Sequence, residues 1–329
     1  MDTILDWGVS LVLWLQSLGM WLMPPMQFFT FLGTEQFYLL IAPALLWCVD
    51  TAWGLRMGLA LTVSGSLNEI LKFTFHSPRP YWYDERVQAL SAETTFGMPS
   101  GHAQNAVAVW GVLANALRRP WAWAAAIALM FLIGLSRVYL GVHFPGDVIG
   151  GWLAGAVLLW LILRVERMLK PWLESGAIAL HILAALAVSL GLIVVGALIQ
   201  NSVSDIALPS SWARLASRAP DANPIEPYAL SGLITSSASF FGLASGGILL
   251  KQRGWFNAGG KAWKRSVRYL IGVAGVLALY MLLGAVFPRG ETLIALLFRY
   301  LRYTLIGLWI AYFAPLFFIR LRLGETANL

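Results

Sequence analysis

Long apolar stretches, separated by short polar or basic segments, recur along the whole chain. Most of them are close to the ~20 residues that an α-helix needs to cross the hydrocarbon core of a bilayer. Because backbone groups in lipid must be hydrogen-bonded internally, the pattern predicts an all-α, polytopic integral-membrane helical bundle. About nine spans are predicted, at residues 35–50, 54–75, 101–118, 121–140, 147–164, 176–199, 230–250, 268–287 and 303–319.

The first 32 residues have a different pattern, because polar residues and a proline pair interrupt the apolar, Trp-rich sequence. The interrupting residues are Asp2, Asp6, Gln16, Pro24 and Pro25. This pattern favours interfacial helices that lie along the membrane, with a tenth, N-terminal span as the alternative. No cleavable signal peptide is expected, since a basic region and a small-residue cleavage site are lacking.

A second boundary is predicted near 165–175, where charged residues and a proline gather. The chain then divides into N-terminal interfacial helices at 1–32, a core of five spans at 33–170 and a C-terminal bundle of four spans at 171–329. Every residue with distinctive chemical character lies before this boundary, so the middle segment is the predicted catalytic core.

Composition supports a membrane protein, because 59% of the 329 residues are hydrophobic and only 12% are charged. Soluble domains usually carry about 25% charged residues. The net charge of +7 comes from short basic clusters between the apolar stretches, so it indicates membrane orientation rather than a nucleic-acid partner. The membrane face that receives the larger number of these basic residues should be the cytoplasmic one, with the N-terminus outside and the C-terminus inside. Cys48 is the single cysteine, which excludes an intrachain disulfide and a cysteine metal cluster.

Three short polar blocks interrupt the predicted core at the ends of spans. They are Lys72 with Arg79-Pro80 six residues further on, Pro99-Ser100-Gly101-His102, and a third block of Ser136, Arg137, His143 and Asp147. Successive spans cross the membrane in opposite directions, and this alternation brings all three blocks to the face opposite the basic loops. Ionisable groups at a membrane boundary are costly and by default functional.

The residue types in these blocks suit phosphoryl transfer. The cations Lys72, Arg79 and Arg137 fit a dianionic phosphate, and Ser100 and Gly101 begin a span whose first backbone N–H groups can bind an anion. Two histidines can serve as nucleophile and as general acid. Asp147, four residues after His143, can accept a hydrogen bond from one nitrogen of its ring.

In this combination and order, the blocks resemble the type 2 phosphatidic acid phosphatase superfamily, whose pattern is K-x6-R-P, P-S-G-H and S-R-x5-H-x3-D. The resemblance implies that His143 is the nucleophile, His102 the general acid and Asp147 the residue that orients His143. It also implies that the phosphate is bound without a metal or other cofactor. The implied phosphate-binding residues are Lys72, Arg79, Ser100, Gly101 and Arg137.

The nine-span layout is also similar to the glucose-6-phosphatase branch of that superfamily, which has an outward N-terminus and the sequence RPYW after the first block. Asp147 departs from that branch and follows the lipid phosphatases instead. The layout therefore describes architecture and leaves the substrate to be decided by other evidence.

The predicted function is hydrolysis of a lipid phosphate or diphosphate at the extracytoplasmic face, through a phosphohistidine, in a bacterial inner membrane. Membrane lipids are the expected partners. The alternatives are a hydrolase that acts on a soluble sugar phosphate and a phosphotransferase, both of the same superfamily. A transporter is disfavoured, because its charges should lie at mid-membrane depth in interrupted helices.

Two segments outside the blocks carry lesser predictions. Asp84, Glu85 and Glu93 lie between the first two blocks, where a solvated loop is expected, with a role in substrate choice as the alternative. Residues 211–219 are expected to form an interfacial helix, with a lid as the alternative.

Overall fold

A computed structural model describes residues 2–327, and nearly all of its regular structure is helical. The predicted all-α class is confirmed. The helices are α1 Asp2–Ser17, α2 Met23–Phe31, α3 Glu35–Cys48, α4 Thr51–Phe75, α5 Pro80–Tyr83, α6 Gly101–Leu117, α7 Pro120–Tyr139, α8 Pro145–Ser175, α9 Ile178–Val203, α10 Ser210–Ala216, α11 Ser231–Gln252, α12 Ala262–Val286, α13 Leu293–Leu308 and α14 Ala314–Arg320. One short antiparallel pairing joins β1, Phe256–Asn257, to β2, Glu325–Thr326.

Six helical segments of the described residues are long and apolar enough to cross a membrane. They are Pro120–Tyr139, Pro145–Ser175, Ile178–Val203, Ser231–Gln252, Ala262–Val286 and Leu293–Arg320. The predicted count of nine is therefore not confirmed. Three of the predicted spans form helices outside this set: α3 has 14 residues and α6 has 17, while α4 has 25 but carries Asn68, Glu69 and Lys72 near its end.

The N-terminal segment forms two helices rather than one, because α1 and the helical stretch Met20–Phe31 are bent by 87° at the break between them. Val9 and Val12 of α1 are fully buried, while Trp7 and Trp14 are exposed. Such a two-faced helix suits the membrane interface. A broken span would raise the number of candidate spans to seven, and the interfacial assignment stays a prediction.

The chain folds into two compact units built from interleaved segments. Unit 1 comprises Met1–Thr34, Leu67–Leu161 and Val195–Ala229, and unit 2 comprises Glu35–Ser66, Ile162–Val194 and Leu230–Leu329. The predicted division at 32 and 170 runs consecutively along the sequence and stays a prediction.

In unit 1, glycines let helix α8 approach the start of α6 closely. A Cβ at Gly151 would lie 2.5 Å from the carbonyl oxygen of Ser100, and one at Gly155 would lie 2.7 Å from that of Gln104. Small residues at this spacing allow backbones of membrane helices to approach each other. As a result, the start of α8 lies beside the start of α6, and the Ser100 N–H donates to the Asp147 carbonyl at 2.9 Å.

In unit 2, α11 packs against α13 through glycines, and a Cβ at Gly307 would lie 2.8 Å from the backbone nitrogen of Leu243. A separate apolar core surrounds the fully buried Trp47 and Phe318. Arg268 is also fully buried, and its guanidinium donates to three consecutive carbonyls, that of the last residue of β1 and those of the two residues after it. These carbonyls give a buried cation hydrogen-bond partners in the absence of a carboxylate.

Candidate active site

The first block contributes Arg79, whose guanidinium is almost completely buried in unit 1. Its Nε donates to the Thr95 carbonyl at 2.7 Å and its Nη2 to the Phe96 carbonyl at 3.0 Å. Its Nη1 donates to the Val142 carbonyl at 3.0 Å. Arg79 therefore joins the loop before the second block to the loop of the third block, and its guanidinium is held in one orientation.

His143 lies between Arg79 and Asp147. Its Nδ1 is 3.3 Å from Asp147 Oδ2, and its Nε2 is 3.2 Å from Arg79 Nη1. The same Asp147 oxygen accepts the backbone N–H of Phe144 at 2.9 Å. Because a carboxylate accepts, the Nδ1 atom carries the proton and the Nε2 lone pair accepts from Arg79.

Burial, and then the charges of Arg79 and Arg137, hold the pKa of His143 well below its usual 6.5. The imidazole is therefore neutral at neutral pH, which is the form that has an unprotonated Nε2. A neutral ring oriented by a carboxylate is the arrangement that nucleophilic catalysis by histidine requires.

The second block begins helix α6. Ser100 is the N-cap, and its side chain accepts from the Ala103 N–H at 3.5 Å. His102 lies in the first turn, and its Nε2 is buried with no hydrogen-bond partner in the described part of the chain. Since an unpaired buried nitrogen is costly, a ligand oxygen is a fitting partner for it.

The remaining two cations are also in place. Lys72 donates from Nζ to Thr95 Oγ1 at 2.9 Å and lies 3.6 Å from Glu69 Oε1. Arg137, near the end of α7, donates to Thr30 Oγ1 at 2.7 Å. The three blocks therefore meet in unit 1, as the alternation of spans predicts.

Comparison with known proteins identifies the family of the chain. Residues 53–171 match the model of the PAP2 superfamily, and residues 234–326 match the PAP2 superfamily phosphatase, transmembrane extension. Phosphatidylglycerophosphatase B of Bacillus subtilis is 32% identical over 168 residues, which cover 47% of this chain and 80% of that protein. The chain belongs to the PAP2 superfamily. The predicted family is thereby confirmed, together with the prediction of a phosphatase in the membrane.

Other PAP2 relatives match over shorter shares of their own length. Undecaprenyl-diphosphatase of Sulfolobus acidocaldarius is 32% identical over 115 residues, covering 34% of this chain and 55% of that protein. Glucose-6-phosphatase catalytic subunit 1 of Haplochromis nubilus is 26% identical over 224 residues, covering 56% and 60%. Both are matched over less than two thirds of their length.

The prediction that Glu93 lies in a solvated loop is wrong, because its side chain is only 27% exposed and pairs with two of the cations. Its Oε1 accepts a short hydrogen bond from Arg137, and its Oε2 is 3.6 Å from Arg79 Nη2. Burial alone would raise the pKa of Glu93, but the charges of Arg79 and Arg137 lower it to about 2.

The signal that could have identified Glu93 is a charge imbalance. Three cations gathered at one buried site need an anion when no ligand is bound, because unpaired buried charges are strongly unfavourable. The loop between the first two blocks carries three carboxylates. Asp84 pairs instead with Arg86, and Glu85 is exposed, so Glu93 is the one that serves the site.

The segment at 211–219 forms the short helix α10, Ser210–Ala216. Its Trp212 ring lies 6.2 Å from that of Trp82, and Leu215 is buried. Further along, the Glu226 N–H donates to the Thr94 carbonyl at 2.9 Å. The segment thus packs on the loop that holds Glu93, and its placement at the interface or as a lid stays a prediction.

Proposed function

We propose that the chain hydrolyses a lipid phosphate or diphosphate through a phosphohistidine on His143, with the site at the extracytoplasmic face of a bacterial inner membrane. The observation that carries the proposal is the neutral imidazole of His143 between Asp147 and Arg79. It supplies a nucleophile next to the cations that would bind the phosphate.

The first half-reaction forms the covalent intermediate. The Nε2 lone pair of His143 attacks phosphorus while the bond from phosphorus to the leaving oxygen breaks. His102 gives its proton to that oxygen, and Asp147 stabilises the charge on the His143 ring through Nδ1–H. Lys72, Arg79 and Arg137 neutralise the phosphoryl oxygens.

The second half-reaction releases phosphate. Water attacks phosphorus, the phosphorus–nitrogen bond to His143 breaks, and His102 takes the proton of the water. The Ser100 hydroxyl and the backbone N–H of Gly101, at the start of α6, would bind the same oxygens in both steps. Each half-reaction leaves His102 in the protonation state that the next one needs.

A lipid substrate is supported by two observations. The first two relatives bear the names of lipid phosphatases, phosphatidylglycerophosphatase B and undecaprenyl-diphosphatase. Asp147 follows the lipid phosphatases rather than the glucose-6-phosphatase branch. The extracytoplasmic face is supported by the distribution of basic residues, which should mark the cytoplasmic side.

Two variants, each lacking one of the two histidines, test the mechanism. His143→Ala should abolish both turnover and the acid-labile phosphate that remains on the protein after rapid quenching with radiolabelled substrate. His102→Ala should slow turnover by ~10²–10⁴-fold, and this loss should shrink for a nitrophenyl phosphate, whose leaving group departs unprotonated. Labelled phosphate on the His143→Ala protein would remove His143 from the role of nucleophile.

The second candidate is a sugar-phosphate hydrolase, which the likeness to glucose-6-phosphatase catalytic subunit 1 favours. The purified protein in detergent should release phosphate faster from phosphatidylglycerol phosphate or undecaprenyl diphosphate than from glucose 6-phosphate. A preference for the sugar would reverse the assignment. Transfer of label to added glycerol instead of water would identify a phosphotransferase.

A further inference from the structure

A second cluster of cations lies in unit 2, where α12 ends and α13 begins. Helix α13 begins at Leu293, ten residues earlier than the predicted span, so two arginines expected in a loop lie within a helix. Arg299 and Arg302 are three positions apart and therefore share a face of α13. Together with Arg289 they line a shallow surface pocket that also contains Phe287, Pro288 and Phe298.

The pocket is organised around Gly284 near the end of α12. Arg289 donates from Nη2 to the Gly284 carbonyl at 3.2 Å. A Cβ on Gly284 would lie only 2.6 Å from Arg302 Nη2, so the missing side chain makes room for that guanidinium. Arg302 also stacks on the Tyr280 ring, with its Cζ 4.1 Å from the ring centroid. Two guanidinium groups thus converge on one glycine.

These cations have no carboxylate partner. Within residues 2–327, no acidic oxygen lies within ion-pair distance of Arg289, Arg299 or Arg302. Glu291, which is close in sequence, accepts from the Leu230 N–H instead. Among the described residues, the acceptors of the three guanidiniums are two carbonyls and the Thr235 hydroxyl, and Arg302 Nε is buried without a partner.

The surroundings identify the class of anion. Val286, Leu293 and Leu297 beside the pocket are 61–80% exposed, which is the surface expected of lipid-facing residues. Helix α12 has 25 residues, so its ends are ~37 Å apart, slightly more than the ~30 Å hydrocarbon core. Lys264 and Arg265 lie at its other end, so Gly284 and Arg289 lie near the membrane boundary, and the Arg302 guanidinium reaches Gly284 from within α13.

We propose that Arg289, Arg299 and Arg302 form a binding site for the phosphate of an anionic glycerophospholipid. Planar guanidinium groups match phosphate oxygens in pairs, and the exposed apolar residues would contact the acyl chains. The site is distinct from the phosphatase site in unit 1 and does not depend on the reaction proposed for it.

Native mass spectrometry of the intact protein in detergent tests the site, with dioleoylphosphatidylglycerol as the probe. The wild-type protein should retain one lipid that the Arg299→Gln/Arg302→Gln variant binds about tenfold or more weakly. Arg265→Gln removes the same charge at the opposite end of α12 and should bind like wild type. Dioleoylglycerol, which has the same chains without a phosphate, should not compete.

A second perturbation keeps every charge. Gly284→Ala should push the Arg302 guanidinium aside and so weaken the binding of the lipid, without changing the net charge. This variant also tests the site if the double variant does not fold. Equal lipid retention by wild type and either variant would overturn the site. Displacement of the lipid by millimolar inorganic phosphate as effectively as by phosphatidylglycerol would mean that a soluble anion, rather than a lipid, occupies it.

Discussion

The two oxygens of Glu93 face Arg79 and Arg137, so Glu93 occupies the position that a phosphate bound by these arginines, as proposed, would need. With a pKa of about 2 it is a carboxylate throughout the physiological range. A bound phosphate must therefore displace this carboxylate or lie against it. The substitution Glu93→Gln keeps the shape of the side chain and removes its charge, so it should strengthen the binding of inorganic phosphate and vanadate.

The magnitude follows from the geometry. Two unit charges about 4 Å apart interact by ~4 kcal/mol at an effective dielectric constant of about 20. The carboxylate is 27% exposed and lies 3.6 Å from Arg79, so solvent screens part of this energy. The glutamine amide also retains some hydrogen bonding to the arginines. We therefore expect a gain of about 1.4 kcal/mol, which is tenfold in affinity.

Inhibition constants for phosphate and vanadate, measured in detergent at pH 7 for the wild type and for Glu93→Gln, test this expected gain directly. Glu85→Gln is the matched control, since Glu85 is exposed in the same loop and its charge should not affect the site. Weaker binding of both anions to Glu93→Gln than to wild type would refute the reasoning. It would show that Glu93 holds the arginines in place rather than competing for them.

Four further results are expected. Because the pKa of His143 is lowered, its ring should stay neutral as pH decreases from 8 to 6.5, and its titration should not reduce kcat/KM in that interval. A fall in kcat/KM caused by His143, with a midpoint at or above pH 6.5, would contradict the neutral nucleophile. Glu93 has a pKa of about 2, against an ordinary value of 4.5, so its ion pairs stabilise the fold above pH 4.5 and this stabilisation is lost as pH falls towards 2; Glu93→Gln should lose less stability over that interval in thermal unfolding. Vanadate should inhibit and chelators should not, since protein cations neutralise the phosphate; loss of activity on chelation with recovery on adding Mg²⁺ would oppose this. In a Cys48→Ala background, cysteines placed at 84–92 should react with an impermeant thiol reagent from outside the cell while one near Lys261 should not, and the opposite labelling would reverse the orientation.

Most residues of the candidate site could be predicted from short local sequence patterns. His143 and Asp147 are four residues apart at the start of α8, and Ser100 and His102 lie at the start of α6. Within each pair, the spacing along the sequence already predicts that the two residues lie close together. The predicted alternation of span directions places Lys72, Arg79 and Arg137 on one face, and in the structure Arg79 and Arg137 pair with the same carboxylate. In these cases the chemistry depends on short contiguous blocks or on topology alone.

Tertiary contacts decided what the sequence did not reveal. Glu93 and Thr30 approach Arg137 from 44 and 107 residues away, and no local pattern indicates either contact. The count of spans was unreliable for a related reason. Helices α3 and α6 have only 14 and 17 residues, and α4 carries polar and charged residues near the end that supplies Lys72.

The hydrogen bonds of Arg79 have a consequence for the timing of catalysis. A guanidinium has five N–H groups, and all five of Arg79 already have acceptors: Thr95 twice, Phe96, Val142 and the Nε2 atom of His143. Four of these acceptors are fixed parts of the two loops. The fifth is the lone pair that attacks phosphorus in the proposed mechanism, and once bonded to phosphorus it could no longer accept from Arg79. The attack would thus release one N–H group towards the phosphoryl oxygens, so the donor that masks the nucleophile in the resting enzyme would be the one that later binds the transition state.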